Sequence, residues 1–195
     1  MSAVKQHETV KIVDRTFLFG RATGSVIYEV DTGLAGTVFM RADESASGDD
    51  SRCVVIVDAA RFLAAWRATP GERSDIARLS PDGWRKDYKF AGAEKGFRHG
   101  RPDPVPLALP SAWRQPEGGQ PWVDLTNGIT RTIWLLAAGA KAFPVECRGA
   151  SAKLLTELAG VPEVPPATVR DLLDGLSWET WLEEQRGERS ARFSP

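Results

Sequence analysis

The residues best suited to chemistry lie near the middle of the chain, at positions 126–131 (TNGITR). Arginine presents a planar fork of donors that matches a phosphate group, and glycine lets an anion approach the main chain. If a helix starts here, the unpaired amides of its first turn and its positive dipole end add to the attraction. The segment therefore predicts a phosphate-binding site made of Thr126, Asn127, Gly128, Thr130 and Arg131.

The same segment has a second interpretation that needs no ligand. Short glycine-containing turns before helices are common, so Asn127 and Gly128 can form a turn and nothing more. Arg131 then pairs with the carboxylate of Asp124 or Glu146 rather than with a phosphate. The spacing of the residues favours neither interpretation over the other.

Cleavage of a phosphodiester also requires a group that activates water. A carboxylate or a histidine can accept that proton, alone or with a metal ion. We expect catalytic roles for Arg131, Asp124, Glu146 and His99, with the two carboxylates on adjacent strands. The competing interpretation makes Asp124 an acceptor that stabilises the turn and Glu146 an outward strand residue. In that interpretation His99 is a surface histidine.

A strand, a helix and a second strand must hold this segment in place. Val123 and Leu125 alternate with polar neighbours, as in a half-buried strand. Apolar residues recur at helical spacing from 133 to 137, and Asn127 is positioned to cap that helix. Gly139 predicts a left-handed residue at the helix end, and residues 143–147 predict a short strand.

The rest of the chain predicts a mixture of strands and helices. Strands are expected at 8–14, 25–30, 36–41 and 53–57, the last central because it is continuously apolar. Helices are expected at 59–67, capped by Asp58, at 74–79, and from Ser151 as cap to Gly160. Residues 103–108 must be extended because Pro104 and Pro106 fix the backbone, which suits an edge strand or a pocket lip.

A second segment, 84–101, mixes basic and aromatic side chains. Cations contact phosphates and rings stack on bases, so this composition is typical of a surface that binds nucleic acid. We expect DNA contacts from Lys86, Lys89, Arg98 and Arg101. The alternative is a solvated loop that its aromatic residues anchor to the core.

The charge and composition of the chain limit the classes of protein to which it can belong. The formal net charge of −1 argues against a protein that coats DNA through charge alone. With two cysteines and two histidines no zinc-binding spacing is present, and buried free thiols are expected rather than a disulfide. The acidic loop 42–51 could hold a metal, although a solvated loop fits it better. Without an apolar leader or membrane span, the protein is expected in the cytoplasm, with a peripheral position at the inner face of the membrane as an option.

The central motif resembles the ParB/sulfiredoxin fold, whose hallmark is a strand, a Gly-x-[His/Arg]-Arg turn that opens a helix, and a following strand. Gly128, Thr130 and Arg131 occupy the motif positions, and residues 139–145 match the following strand. Segment 86–108 looks like that of plasmid fertility-inhibition factors, the relatives of oncogenic-suppression proteins. Ile129 replaces the cysteine of sulfiredoxins, so sulfinic acid repair is not expected.

The resemblance implies an α+β fold, a ParB/sulfiredoxin-like mixed sheet with flanking helices over residues 1–160 and a small C-terminal helical appendage at 161–195. It implies a plasmid-encoded inhibitor of DNA transfer through type IV secretion, acting as a DNase with ATPase activity, with ATP and Mg²⁺ as cofactors and the transferred DNA strand as partner. The secretion coupling protein and a relaxase–DNA complex are further partners that the resemblance implies. One alternative function is a non-catalytic inhibitor that binds the secretion coupling protein. The other is a ParB-like, nucleotide-switched DNA binder.

Overall fold

The computed structural model describes residues 7–18, 22–44, 52–115 and 118–192. Most of the acidic loop, residues 45–51, lies outside these ranges. Over the described residues the chain contains both strands and helices, largely in separate runs, so the expected α+β class is confirmed. Among the described residues, no helix is both long and apolar enough to span a membrane.

A three-stranded meander forms one half of the main sheet. It contains β1 (Val10–Thr16), β2 (Ser25–Asp31) and β3 (Thr37–Asp43), paired antiparallel in that order. The other half is built on β4 (Arg52–Asp58), which pairs antiparallel with β8 (Ala142–Arg148) and β9 (Ala167–Thr168). Val54, Val55 and Val57 are buried, as expected for a central strand.

The short strand β5 (Val105–Pro106) joins the two halves. It runs parallel to β3, and the Leu107 amide donates to the Arg41 carbonyl at 3.0 Å. On its other side, Ala108 forms a parallel bridge with Val145 and accepts from the Glu146 amide at 2.9 Å. Strand β5 is the last strand in the order β1-β2-β3-β5, so the expectation of an edge strand is confirmed. The prolines are tolerated because the neighbouring Leu107 and Ala108 make these bonds instead.

A separate hairpin covers the edge of this sheet. It consists of β6 (Leu109–Trp113) and β7 (Trp122–Asn127), paired antiparallel. Strand β6 follows β5 directly and was not predicted, because its two apolar positions alternate too briefly to stand out.

In the described ranges, eight α-helices pack around these strands. They are α1 (Ala59–Arg67), α2 (Asp75–Arg78), α3 (Pro81–Arg85), α4 (Phe90–Arg98), α5 (Ile129–Ala137), α6 (Gly149–Ala159), α7 (Val169–Leu172) and α8 (Trp178–Arg192). The Asp58 carboxylate accepts from the Arg61 amide at 2.8 Å, so the predicted cap of α1 is confirmed. Ser151 does not cap α6, because that helix begins two residues earlier and Arg148 is its N-cap.

The chain beyond residue 160 adds to the main core. Strand β9 pairs Thr168 with Cys53, and Val161 and Leu172 are buried. Trp178 and Trp181 of α8 stack at 5.3 Å and both meet the ring of Phe17 edge-on. The apolar residues of this region thus pack on the sheet, while the boundary after residue 160 stays a prediction.

Candidate functional site

The turn between β7 and α5 contains the expected glycine, but this glycine does not serve to let an anion approach the main chain. Gly128 adopts a left-handed conformation (φ 89°), which side-chain-bearing residues rarely adopt. A Cβ atom at this position would lie 2.7 Å from both Cα and Cβ of Ala108. Gly128 therefore allows the helix start to contact the segment after β5, and its α-carbon side is closed to an anion.

Arg131 fastens the same turn to β5. Its Nη1 atom donates to the carbonyls of Pro106 and Leu107, the latter at 3.1 Å, and Nη2 donates to Asn127 Oδ1 at 3.2 Å. Asn127 thus accepts from Arg131 and does not cap α5, whose N-cap is Gly128. Burial, with a contribution from Arg41, lowers the pKa of the Arg131 guanidinium. Within the described part of the chain, Arg131 forms an ion pair neither with Asp124 nor with Glu146.

Glu146 is the carboxylate that the fold isolates from water. Its side chain is 6% exposed, and Arg52 Nη1 lies 2.7 Å from Oε1. The two atoms are close but poorly aligned, because Oε1 has no hydrogen bond to any of the residues that the structure describes. Burial raises the pKa of Glu146 and Asp43 raises it further, while Arg52 opposes them. A buried carboxyl with a raised pKa is a common feature of proton-transfer sites.

Glu146 lines a cavity of about 190 Å³ at the junction of β8 with the hairpin. The remaining lining combines two arginines and two hydroxyls with less polar residues: Arg52, Leu109, Pro110, Ser111, Thr126, Cys147 and Arg148. Two residues predicted for the site, Thr126 and Glu146, therefore meet. We call this the Glu146 cavity.

Asp124 lies in a different cavity. This one measures about 340 Å³, and Thr69, Pro70, Ser111, Trp113, Trp122 and Thr126 complete its lining. One Asp124 oxygen accepts from the Leu125 amide at 2.9 Å. Strand β7 pairs with β6, whereas β8 pairs with β4, so the expectation of adjacent strands for Asp124 and Glu146 is wrong. Ser111 and Thr126 line both cavities and connect them.

His99 lies apart from both cavities, after the end of α4. Its Nδ1 atom is 2.9 Å from Asp103 Oδ2, and both side chains are about half exposed. Asp103 in turn is 3.9 Å from Arg41, which pairs with Asp43 at 3.0 Å. The histidine thus ends a surface chain of charges.

Segment 84–101 contains the end of α3 and the whole of α4, and is therefore not the solvated loop of the alternative interpretation. Trp84 is buried and donates to the Ile76 carbonyl at 2.6 Å, and Phe97 stacks on Trp134 at 4.2 Å. Tyr88, in the same segment, is by contrast 84% exposed. These rings anchor the helices to the core, so base stacking by Trp84 or Phe97 is not available.

The four basic residues assigned to DNA contact lie at the surface. Lys86 and Lys89 are exposed, and Lys89 Nζ lies 5.2 Å from the centre of the Tyr88 ring. Arg98 pairs with Glu94 at 2.7 Å and Arg101 with Asp14 at 2.9 Å. Their role in DNA binding stays a prediction.

The other predicted phosphate ligands surround the turn. Thr126 and Asn127 are exposed and Thr130 is half-buried. No side chain caps the start of α5, so the N–H groups of its first turn can donate hydrogen bonds to water or to a ligand. Within the described ranges, no three His, Cys, Asp or Glu side chains are grouped so that they could hold a metal ion.

Several residues of the two cavities, Ser111 among them, were not predicted from the sequence. Arg52 and Arg148 are opposite each other in the β4–β8 register, at the ends of their strands. Trp113 and Trp122 are opposite each other in the hairpin. The apolar strand cores were visible in the sequence, but their pairing, which brings these residues together, was not.

Three comparisons place the chain among known proteins. Residues 54–160 match the family model described as Plasmid Fertility inhibition factor. The protein osa of Shigella flexneri is 35% identical over 141 residues, which cover 72% of this chain and 71% of that protein. A crystal structure of an oncogenic suppression activity protein, titled a plasmid fertility inhibition factor, superposes with a TM-score of 0.70 at 31% identity. It covers 86% of this chain and 82% of that chain. The family model spans more than half of the sequence and the relative matches over two thirds of it, so the chain belongs to the plasmid fertility inhibition factor family.

Proposed function

We propose that this fertility inhibition factor hydrolyses phosphodiester bonds in DNA that is being transferred by a type IV secretion system. The observation that supports this most is the Glu146 cavity. It combines a buried carboxyl of raised pKa with two arginines and two hydroxyls. The wider ParB/sulfiredoxin assignment belongs to the same proposal, supported by the strand, turn, helix and strand around Gly128.

Glu146 acts as the general base in this mechanism. A carboxyl with a raised pKa exchanges its proton nearer to neutral pH, which suits it to take a proton from an attacking water. The new oxygen–phosphorus bond forms as the bond to the leaving sugar oxygen breaks. That oxygen takes up a proton from solvent water, and Glu146 afterwards releases to solvent the proton it accepted. Arg52 and Arg148 stabilise the added negative charge, and the Ser111 and Thr126 hydroxyls donate to phosphate oxygens.

Arg131 supports this site from the other side of β5. It holds the carbonyls of Pro106 and Leu107, and the next residue, Ala108, accepts from the amide of Glu146. Three of its five N–H donors are used in this way, which leaves two for a phosphate. We assign to Arg131 a positioning role for Glu146 and a contact to a phosphate bound at the start of α5.

ATP is part of the proposal as a second phosphate ligand. The uncapped start of α5, with the exposed Thr126 and Asn127, offers donors for its phosphates. Mg²⁺ usually binds through substrate phosphates, water and one or two carboxylates. That mode fits a site whose described residues do not include a three-ligand metal cluster.

The test incubates purified protein with single-stranded and duplex DNA, with and without ATP and Mg²⁺. Glu146→Gln removes the base, and Arg131→Ala removes the support. Glu94→Gln serves as the matched control, since Glu94 also pairs with an arginine at 2.7 Å but on the surface of α4. We expect cleavage by wild type and the control, and at least about a hundredfold loss in Glu146→Gln.

Cleavage at the wild-type rate by folded Glu146→Gln would remove Glu146 from the mechanism. If no condition gives cleavage, the nuclease proposal fails. Inhibition of transfer in cells by both variants would then favour a non-catalytic inhibitor that contacts the secretion coupling protein.

A further inference from the structure

Two tryptophans lie on the outer side of the β6–β7 hairpin. Trp113 is directly opposite Trp122 in the strand register, and Trp113 is 55% exposed. Indole rings are usually mostly buried, because they remove a large apolar area from water. A half-exposed indole opposite a second one therefore makes this side of the hairpin a candidate surface for a ligand.

Polar groups surround these rings. Ser111, Asp124 and Thr126 alternate with inward residues on the same strands, and they line the 340 Å³ cavity together with the tryptophans. A flat apolar face with hydroxyls and a carboxylate at its border matches a nucleobase, which has a π-face and a hydrogen-bonding edge. A purely apolar partner would cover the hydroxyls of Ser111 and Thr126 without offering them a hydrogen bond.

The tryptophan surface continues into the Glu146 cavity, because Ser111 and Thr126 line both. There Arg52 and Arg148 lie opposite each other on β4 and β8. Arg148 is exposed, and its charge is available to a ligand at the mouth of this cavity. An aromatic platform beside a cationic cavity is complementary to a nucleotide, whose base and phosphate are neighbours.

We propose that Trp113 and Trp122 stack on an unpaired base of a DNA strand whose phosphate occupies the Glu146 cavity. The proposal rests on the proposed function in taking DNA as the ligand, and it specifies the substrate class as single-stranded DNA. A base in a duplex is stacked between its neighbours, so its face is not available to the tryptophans.

The experiment measures binding by fluorescence anisotropy in EDTA, without ATP, so that no cleavage occurs. The probes are a labelled thymidine oligonucleotide, an abasic oligonucleotide of the same length, and a duplex. We expect the thymidine strand to bind at least about tenfold more tightly than the abasic strand. Trp113→Ala should abolish that difference and Trp113→Phe should retain most of it.

Leu34→Ala is the control, because Leu34 is 77% exposed and lies outside both cavities and outside segment 84–101. It should bind like wild type. Equal binding of the thymidine and abasic strands by wild type would overturn the proposal, and so would unchanged binding by Trp113→Ala. Base-dependent binding without any nuclease activity would support this inference while the proposed function fails.

Discussion

The Nη2 atom of Arg131 lies 3.2 Å from Oδ1 of Asn127, so the two residues at the ends of the turn are bonded to each other. The Nη1 atom of the same arginine donates to two consecutive carbonyls, those of Pro106 and Leu107. One side chain therefore joins β7, α5 and the segment after β5. This makes Arg131 a structural residue as well as a candidate ligand of phosphate.

Replacing Arg131 with alanine should destabilise the protein. Charged hydrogen bonds are worth more than neutral ones, and the two carbonyls lose their donor, so we expect a loss of about 2–4 kcal/mol in unfolding free energy. Urea denaturation measures it. Arg98→Ala, which removes an exposed ion pair with Glu94, should cost less than about 1 kcal/mol. Equal stability of Arg131→Ala and wild type would contradict the structural role.

Replacing Gly128 with alanine should also destabilise the protein, for two separable reasons. The left-handed backbone costs a side-chain-bearing residue about 1–2 kcal/mol, and the new Cβ would meet Ala108 at 2.7 Å. Gly175→Ala is the matched control, because Gly175 has a similar φ of 83° and a Cβ added there would meet nothing within 4 Å. The difference in melting temperature between the two variants reports the contact alone. A similar loss of melting temperature in both variants would show that the chain around Ala108 moves at little energetic cost to make room for the new Cβ atom.

The elements that the sequence predicted correctly are those with a strong local pattern. The apolar run of β4, the Asp58 cap of α1 and the left-handed Gly139 each depend on neighbouring residues. Helix α4 was missed because Gly92 and Gly96 lower its intrinsic helix propensity. It forms because Phe97 packs on Trp134 of α5, a contact between residues distant in sequence.

The candidate site was predicted only where it depends on neighbouring residues in the sequence. The turn at Gly128 is local, and its backbone conformation agrees with the sequence pattern. The partners of Arg131 are carbonyls about 25 residues earlier in the chain, and side-chain types carry no information about such bonds. Asp124 and Glu146 looked equivalent in sequence, but strand pairing places only Glu146 beside Arg52.

Alanine substitutions at two aromatic residues of segment 84–101 should have very different effects on the free energy of unfolding. Phe97 is buried against Trp134, so Phe97→Ala should cost about 3–5 kcal/mol. Tyr88 is exposed, and Tyr88→Ala should change the free energy of unfolding by no more than about 0.5 kcal/mol. Thermal unfolding followed by circular dichroism compares the two. A large loss in Tyr88→Ala would mean that its ring is packed in solution.

The two cysteines are opposite each other in the β4–β8 register and both are free thiols. Burial raises the pKa of Cys147 to about 12, and burial also raises the pKa of the half-buried Cys53. Because the thiolate is the reactive form, iodoacetamide at mildly alkaline pH should label Cys53 slowly. Cys147 should react only after unfolding. Mass spectrometry of the two peptides tests this, with Cys53→Ser as control, and prompt labelling of native Cys147 would contradict the burial.

Glu146 should make stability depend on pH in a defined direction. Its folded-state pKa is raised by burial, so its stabilising contribution is complete below the unfolded-state pKa and is lost as pH rises through the folded-state value. Glu146→Gln has no such loss, since the amide stays neutral. The melting temperature of Glu146→Gln minus that of wild type should therefore increase from acidic to neutral pH.

The control for this measurement is Glu94→Gln, which removes an exposed ion pair and should change the melting temperature little. Arg52 loses its partner in Glu146→Gln, but its side chain is 42% exposed and water can solvate it. A difference that stays constant or shrinks toward neutral pH would mean that Arg52 outweighs burial. Glu146 would then be a fixed carboxylate that binds cations, and its role as the proton acceptor in DNA cleavage would have to pass to another group.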